Sequence, residues 1–394
     1  SIGANAFYAS GLRSVSIPES VQSIGANAFY ASGLRSVSIP AAVMTIGNQA
    51  FAGCKSMTEF RIEDSTEPIS FGTDIFGSYH YPNQDTRANA ESMYIGRDWG
   101  GDSKIGVVGF KTLVIGNLVK AIPDDASIAC RNVENLTLGS GLESIGANAF
   151  SVGLLSEVVI PSSVRSIGAY AFSGNNLKSV IIGCGVETIG ENAFAGNANV
   201  ESVAITAQKP PTAPYTAFSD YSAKLYLQGG QDVIDAYYDA YTCWDRFTGY
   251  SMTVARRIDG EGETSISGEP GDRIQLSAKV WPADATLPQI FWRSTNPAVA
   301  TVDNNGLVTV RKGADEGGCR IIASTLYADG PELVYGVNGS DESGIDVPVA
   351  DVVVDGPVEV YSINGIRLGD STEGLAPGIY IVRRGSSVTK VLVK

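Results

Sequence analysis

The sequence is poor in the residues on which most enzyme and metal sites depend. Its 394 residues include one histidine, His80, and five cysteines without any C-x-x-C spacing. One histidine excludes an H-E-x-x-H zinc site, and any Ser-His-Asp or Cys-His arrangement would have to use it. Neither G-x-S-x-G nor G-x-x-x-x-G-K-[ST] occurs, so the hydrolase nucleophile elbow and the common phosphate loop are excluded. We therefore expect no catalytic residue, no metal and no cofactor.

Positive charge and long apolar runs are also scarce. The chain has 28 Lys and Arg against 42 Asp and Glu, a formal net charge of −14. Because a polyanion would be repelled overall, we exclude nucleic acid as a partner. No apolar run is long enough to predict a transmembrane segment, and the first residues do not read as a signal peptide. Since Ser1 falls inside a repeat, we expect a preceding segment, and export stays open.

The cysteines lie far apart and are odd in number. Such a sparse set does not indicate a disulfide framework. We interpret them as small thiols that are buried or half-buried in the core. They are Cys54, Cys130, Cys184, Cys243 and Cys319.

A near-verbatim repeat opens the chain. SIGANAFYASGLRSVSIP begins at Ser1 and again at Ser23, and the motif I-G-x-x-A-F followed by L-x-x-V-x-I-P returns at 22-residue spacing. Alternating Val and Ile predict a short strand with one buried face. One such unit cannot bury its own apolar edge, whereas stacked units form a continuous core. The sequence therefore predicts a solenoid of about ten coils over residues 1–250, with an insertion near 77–91.

The end of the repeat array has a different texture. The stretch QDVIDAYYDAYTCWDRF predicts an amphipathic helix that closes the apolar end of the solenoid. The residues expected on its apolar face are Val233, Ile234, Tyr237, Tyr241 and Trp244.

These coils resemble those of the BspA-like leucine-rich repeat proteins, which carry the same two motifs. The resemblance covers residues 1 to about 250. Members of that family are mostly surface-exposed or secreted proteins of bacteria and some protists, and many are described as adhesins. The resemblance thus implies a binding function and not catalysis.

Two further modules follow. Short alternating strands over residues 251–350 predict a β-sandwich, and WPADA, WRSTNP and VATVD resemble the group 2 bacterial immunoglobulin-like domains, which serve as spacers or adhesive modules. Residues 351–394 predict a small β-module that is similar to the C-terminal sorting domains of type IX secretion in Bacteroidetes. A β-cap on the sandwich is the alternative. The predicted fold class is mainly β: a leucine-rich repeat solenoid, an immunoglobulin-like β-sandwich and a small C-terminal β-module.

In each strand, the residue between the inward-facing Val and Ile points out of the sheet, so it is a candidate for binding a partner. Ser16, Ser38 and Arg61 begin this column, and the positions after them are largely apolar or aromatic. Strand propensity alone would explain such residues; a ligand-binding ridge is the sharper hypothesis. The candidates are Tyr94, Val114, Thr137, Val159, Ile181 and Tyr226, with Tyr79 and Tyr81 from the insertion. On this hypothesis, replacing Val159 and Ile181 by Lys abolishes binding and leaves the melting transition nearly unchanged.

The predicted function is that of a non-enzymatic, extracellular or cell-surface binding protein associated with the outer membrane. Its partner would be a protein of the host or of a neighbouring cell. The alternatives are a polysaccharide-capture protein for nutrient uptake and a structural spacer. Paired carboxylates could in principle hydrolyse glycosides, but a regular solenoid offers a broad sheet instead of a deep pocket.

Overall fold

The computed structural model is mainly β with little helix, as the sequence predicts. It describes residues 1–77, 79–80, 84–85, 87–101, 107–108, 111–126, 132–261, 264–312, 318–327, 329–337, 358–362, 367–369, 378–384 and 387–393. The chain divides into two compact units, Ser1–Asp346 and Val347–Lys394. The first unit contains both the solenoid and the sandwich.

Short strands of two to four residues recur along the solenoid. In chain order they are Ser23–Ile24 (β1), Ser36–Ile39 (β2), Thr45–Ile46 (β3), Glu59–Ile62 (β4), Ile69–Phe71 (β5), Tyr79–His80 (β6), Gln84–Asp85 (β7), Ala88–Asn89 (β8), Ser92–Ile95 (β9), Trp99–Gly101 (β10), Val107–Val108 (β11), Thr112–Ile115 (β12), Ala121–Ile122 (β13), Asn135–Thr137 (β14), Ser144–Ile145 (β15), Glu157–Ile160 (β16), Ser166–Ile167 (β17), Ser179–Ile182 (β18), Thr188–Ile189 (β19), Ser202–Ile205 (β20) and Lys224–Leu227 (β21).

The solenoid has a wide side, whose strands have three or four residues, and a narrow side, whose strands have two or three. On the wide side two parallel sheets follow one another, β2-β4-β9-β12-β14 and then β16-β18-β20-β21. The narrow side consists of β1-β3-β5-β10 and β13-β15-β17-β19. The solenoid has about nine turns. The first predicted coil pairs with the second through isolated bridges at Ile2 and Ser14, and the predicted insertion contains the antiparallel pair β6-β7.

The I-G-x-x-A-F motif builds the core. Phe172 is 0 % exposed and stacks between Phe150 and Phe194, with ring centroids 5.3 and 5.5 Å apart. The motif glycine is required because coils approach closely there: a Cβ at Gly168 would lie 2.4 Å from the backbone nitrogen of Ala147. The phenylalanine and the glycine of the motif therefore both serve contact with the neighbouring coil.

The solenoid ends in a short helix and a final strand. Helix α1 spans Gln231–Tyr238, a 3₁₀ turn spans Cys243–Arg246, and Thr248–Ser251 (β22) adds a final parallel strand beside β21. Val233, Ile234, Tyr237 and Trp244 are buried. The expectation for Tyr241 is wrong: the helix ends at Tyr238, and Tyr241, with a positive φ of 50°, is 79 % exposed.

An immunoglobulin-like sandwich follows. Its strands form the sheets β24-β31-β30-β27 and β25-β29-β28 and the antiparallel pair β23-β26. Trp292, Val308, Ile321 and Tyr335 lie in its core. The strands are Arg257–Gly260 (β23), Ser265–Ile266 (β24), Arg273–Gln275 (β25), Ala278–Trp281 (β26), Phe291–Ser294 (β27), Ala300–Val302 (β28), Leu307–Val310 (β29), Cys319–Ser324 (β30) and Glu332–Val337 (β31).

The C-terminal unit contains a small antiparallel sheet of order β33-β32-β34-β35. Its strands are Val358–Ser362 (β32), Arg367–Gly369 (β33), Gly378–Arg384 (β34) and Ser387–Val393 (β35). This agrees with the predicted small C-terminal β-module.

Four of the five cysteines lie among the described residues. Cys54, Cys243 and Cys319 are buried and Cys184 is half-buried, as interpreted from their spacing, while Cys130 lies outside the described residues. Burial raises the pKa of the Cys243 thiol to about 12. These thiols are packing residues.

The aromatic column generates a stability prediction. Phe172→Ala removes a buried ring that touches a neighbour on each side, so we expect the free energy of unfolding to fall by about 3–5 kcal/mol in chemical denaturation. Leu154→Ala, at a leucine 43 % exposed, is the matched control and should change it by less than about 0.5 kcal/mol. Equal effects of the two substitutions would contradict the described core.

Candidate functional site at the junction of solenoid and sandwich

The outward column predicted from the repeat exists. Backbone register aligns Arg61, Tyr94, Val114 and Thr137 across neighbouring strands of the first wide sheet. In the second wide sheet it aligns Val159, Ile181, Ala204 and Tyr226. Because strands lie about 4.8 Å apart, each series forms a continuous stripe on the sheet face.

The sandwich covers the apolar part of this stripe. Ile181 and Ala204 are each 5 % exposed and belong to a buried apolar cluster with Ala285, Leu287 and Leu326. Val159 and Tyr226 pack against the same cluster. The expectation of an exposed ridge is therefore wrong here, because the apolar patch is removed from water by a later segment of the same chain.

Tyr327 of the sandwich connects the sandwich to the segment that leaves the solenoid. Its hydroxyl donates to the backbone oxygen of Thr253 at 2.8 Å and accepts from the backbone N–H of Leu287 at 2.7 Å. The ring of Tyr327 is itself buried in the apolar cluster. The segment that leaves the solenoid is thus bonded to the sandwich that returns onto it.

Polar bonds extend the contact along the solenoid. Ser140 Oγ donates to the carbonyl of Trp292 at 2.6 Å, and Ser162 Oγ donates to the carbonyl of Leu326 at 3.1 Å. Further along, Asn117 Nδ2 donates to the carbonyl of Val302 at 2.8 Å. Solenoid side chains therefore satisfy backbone acceptors of the sandwich.

A charged cluster forms the other end of the contact. Arg311 of the sandwich donates to the carbonyl of Asp64 at 2.7 Å, and the Tyr94 hydroxyl donates to Asp64 Oδ1 at 2.5 Å. The guanidinium of Arg61 lies 3.8 Å from the ring centroid of Tyr94 and forms an ion pair with Glu63. Tyr94 is therefore buried in this cluster, which contradicts its predicted exposure.

Asp64 is a buried carboxyl group, 6 % exposed. Burial raises its pKa to about 6, although the Tyr94 hydrogen bond and the charges of Arg61 and Arg311 oppose the rise. Its neutral form is therefore favoured in the folded protein relative to the unfolded chain.

Thr137 lies beside a break in the wide side. β14 ends one wide sheet and β16 begins the next. A cavity of about 240 Å³ opens at this break, and the sandwich forms its other wall. Thr137 and Val159 are two of the predicted site residues that line it, and Thr137 is exposed. The structure thus brings two candidates to one cleft.

The remaining candidates are placed as follows. Val114 is half-buried. Tyr226 is half-buried and its ring lies 5.8 Å from that of Tyr250, centroid to centroid. For Tyr79 the structure describes only the backbone, in β6, and Tyr81 lies outside the described residues. The ligand-binding role of these residues stays a prediction.

Sequence reasoning missed the surface of the sandwich that meets the solenoid. Leu287 and Leu326 lie outside the described strands and are buried, with 2 % and 1 % exposure. A leucine in a polar connecting segment is a signal of such a contact, since loops usually run over a solvated surface. The sequence does not say which surface these leucines meet.

In the part of the chain that the structure describes, no group of three or more histidine, cysteine or carboxylate side chains is arranged to hold a metal ion. No helix of the described residues combines the length and apolar character needed to cross a bilayer.

Comparison with known families matches two of the three modules. The BspA type leucine rich repeat region matches in six copies over residues 1–83 and 107–224, just over half of the chain. The bacterial Ig-like domain (group 2) matches residues 263–323. Neither is an enzyme family. No curated protein sequence matches this chain.

Solved structures give weaker likenesses. A leucine-rich repeat protein from Bacteroides ovatus is 20% identical, covers 52% of this chain and 69% of its own, and has a TM-score of 0.29. The pneumococcal vaccine antigen PcpA is 16% identical over 63% of this chain and 76% of its own, with a TM-score of 0.27. A leucine rich cell surface protein from Faecalibacterium prausnitzii is 17% identical over 58% of this chain and 82% of its own, with a TM-score of 0.27.

The covered stripe generates a prediction that replaces the one made from sequence. Ile181→Lys places an ammonium in the apolar contact, so we expect the free energy of unfolding to fall by more than about 2 kcal/mol. Ser38→Lys, at the equivalent but exposed position of an earlier coil, is the matched control and should leave it nearly unchanged. Calorimetric unfolding measures both. Indistinguishable melting curves for the two variants would refute the docking.

The buried carboxyl of Asp64 generates a pH prediction. Its folded-state pKa of about 6 exceeds the ordinary value of 3.8, so its contribution to stability is present below about pH 4 and is lost as pH rises through 6. The loss is about 3 kcal/mol at most. Urea unfolding of the natural chain and of Asp64→Asn, from pH 4 to 7, tests this. As pH rises, the free energy of unfolding of Asp64→Asn should increase relative to that of the natural chain. If the two free energies changed with pH in parallel, the burial of an ionisable group at this position would be contradicted.

Proposed function

Because this chain belongs to the BspA-type leucine-rich repeat family, we propose that it is an exported, non-enzymatic binding protein that attaches to a protein of a host or neighbouring cell. The observation that supports the proposal is the combination of this solenoid with a group 2 immunoglobulin-like domain in one compact unit. Both are modules of binding or structural proteins. Their docking gives a single body that presents surfaces from both domains.

The open part of the wide side is the proposed contact surface. Ser16 and Ser38 are exposed in the first coils, whereas the equivalent Ile181 and Ala204 are covered by the sandwich. Small hydroxyl side chains leave room for a partner to approach the sheet. Arg13, Arg35 and Glu59 are also exposed in these coils and add charge of both signs. Such a polar, charged surface suits a protein partner through complementary charges and hydrogen bonds.

Export and sorting complete the proposal. The C-terminal unit, Val347–Lys394, would act as a sorting module of the type IX kind and place the protein at the outer membrane or outside the cell. The alternative is a small β-cap. Intact-mass measurement of the exported protein distinguishes the two, because a sorting module of this kind can be removed on export.

Polysaccharide capture is the second candidate function. It is favoured by one observation, the cleft beside Thr137 with its amide side chains from Asn117, Gln289 and Asn304. A spacer role would require that neither the open part of the wide side nor the cleft beside Thr137 binds a partner.

The proposed contact surface is tested with an array of purified host matrix proteins and polysaccharides. We expect the natural chain to bind a protein on the array, and Ser38→Lys to weaken that binding about tenfold without lowering stability. Thr45→Lys, exposed on the narrow side of the same coil, is the control and should bind normally. Binding that is the same in both variants would exclude the open wide side as the contact surface, and absence of any bound protein would contradict the proposed function.

A further inference from the structure

The turn that follows each narrow strand has two residues with positive φ. In the clean copies of I-G-x-x-A-F they are the fourth residue of the motif and the second residue after its phenylalanine, with φ between 50° and 74°. Asn and Gly are the residues that adopt this left-handed conformation most readily. The first position is filled by Asn5, Asn27, Gln49, Asn148, Tyr170 and Asn192, and the second by Ala9, Ala31, Gly53, Val152, Gly174 and Gly196.

Tyr170 and Val152 depart from this preference. Each has a φ of 58°, a region in which a bulky or β-branched side chain is strained. Burial does not offset the strain, because Tyr170 is 45 % exposed and Val152 is 59 % exposed. Leu154, two residues beyond Val152, is 43 % exposed. Packing of the solenoid therefore does not explain these side chains, and residues strained without such a reason are typical of functional sites.

The turns that carry these residues lie side by side on neighbouring coils. The N–H of Val152 donates to the carbonyl of Ser173 at 2.7 Å, and the N–H of Ser173 donates to the carbonyl of Tyr170 at 3.1 Å. Gly174 has in its coil the position that Val152 has in the coil before, and a Cβ there would lie 3.6 Å from Val152 Cα. Because glycine has no side chain, the surface beside Val152 stays open. We call Val152, Leu154, Tyr170 and Gly174 the turn surface.

The charge around the turn surface has one sign. No Lys or Arg occurs in the turns of these two coils or of the coils on either side, which are residues 121–126, 145–154, 167–176 and 189–198. Asp124, Asp125 and Glu191 lie in these turns and are exposed. The carbonyl of Glu191 accepts from the N–H of Tyr170 at 2.9 Å, so this acidic residue is a direct neighbour of the tyrosine.

The basic residues just beyond these turns do not reverse that sign. Lys120 and Arg165 form ion pairs with Glu143 and Glu187, at 3.2 and 3.5 Å, and Lys178 is the third. The whole chain has a formal net charge of −14. A second copy of this chain is therefore disfavoured as the occupant, because it would bring further negative charge.

We propose that the turn surface binds a basic segment of a partner protein. An apolar side chain of that segment lies over Gly174 and contacts Val152 and Leu154. Its Lys or Arg lies over the ring of Tyr170 and beside Glu191, where cation–π attraction and opposite charge both favour it. Val152 and Leu154 offer no hydrogen bond to a sugar hydroxyl, so a protein suits this surface better than a saccharide. The surface is separate from the open part of the wide side.

Selection of phage-displayed random peptides on the immobilised full chain tests the proposal. The double variant Val152→Gly/Tyr170→Asn is used for counter-selection, because it has the residues that other coils carry at these positions. We expect the peptides kept only by the natural chain to combine Lys or Arg with an apolar residue. Fluorescence anisotropy of a labelled selected peptide should show about tenfold weaker binding to the double variant and unchanged binding to Ser38→Lys.

Two further measurements distinguish a binding role from a structural one. The double variant should melt at or above the temperature of the natural chain, because Gly and Asn relieve the strain at positive φ. Glu191→Gln should weaken the selected peptide and reduce the salt dependence of its binding.

Three outcomes would overturn the proposal. Failure to select any peptide that distinguishes the natural chain from the double variant removes the turn surface as a binding site. Selected peptides that are neutral or acidic remove the basic partner. Lower melting temperature of the double variant shows that Val152 and Tyr170 stabilise the fold. None of these outcomes bears on the open part of the wide side, which the protein array tests on its own.

Discussion

The structure depends on contact between successive coils. A coil such as residues 167–188 buries its apolar side chains only when another coil lies on each side, as its Phe172 does between Phe150 and Phe194. The parallel pairing of β16, β18 and β20 repeats the same register across these three coils. Because the register repeats, outward residues at the same position of successive coils lie side by side and form a stripe on the sheet. The apolar stripe through Ile181 is thus a direct consequence of stacking.

An apolar stripe on a solvated sheet is unfavourable unless something covers it. In this chain the cover is intramolecular: Leu287 and Leu326 of the sandwich lie on Ile181 and Ala204. Serine hydroxyls and the Asp64 cluster extend the contact beyond the apolar region. The contact divides the wide side into a covered part, an open polar part in the first coils, and a cleft at the break between the two sheets. These three regions are what the functional proposals use.

Much of the solenoid could be predicted from the sequence, because its motif residues act locally and repeat. Gly168, Phe172 and the alternating strand residues have the burial and close approach that the 22-residue period requires. The candidate site was predicted in part: period two gives the outward direction of Ile181 and Tyr94, but the sandwich segments that cover Ile181 lie more than a hundred residues away along the chain. Tyr94 is buried because Asp64 and Arg311 meet beside it, and no local pattern indicates that meeting. Tyr241 was misplaced because the helical pattern was extended past Tyr238.

The central claim is that the sandwich lies on the solenoid in the intact protein. Photo-crosslinking measures this directly, with benzoylphenylalanine introduced at Ser162, whose hydroxyl donates to the carbonyl of Leu326. Irradiation of the full chain followed by peptide mass spectrometry should give a crosslink to the segment that contains Leu326 and Tyr327. Crosslinks confined to neighbouring coils of the solenoid, with none to the sandwich, would contradict the account.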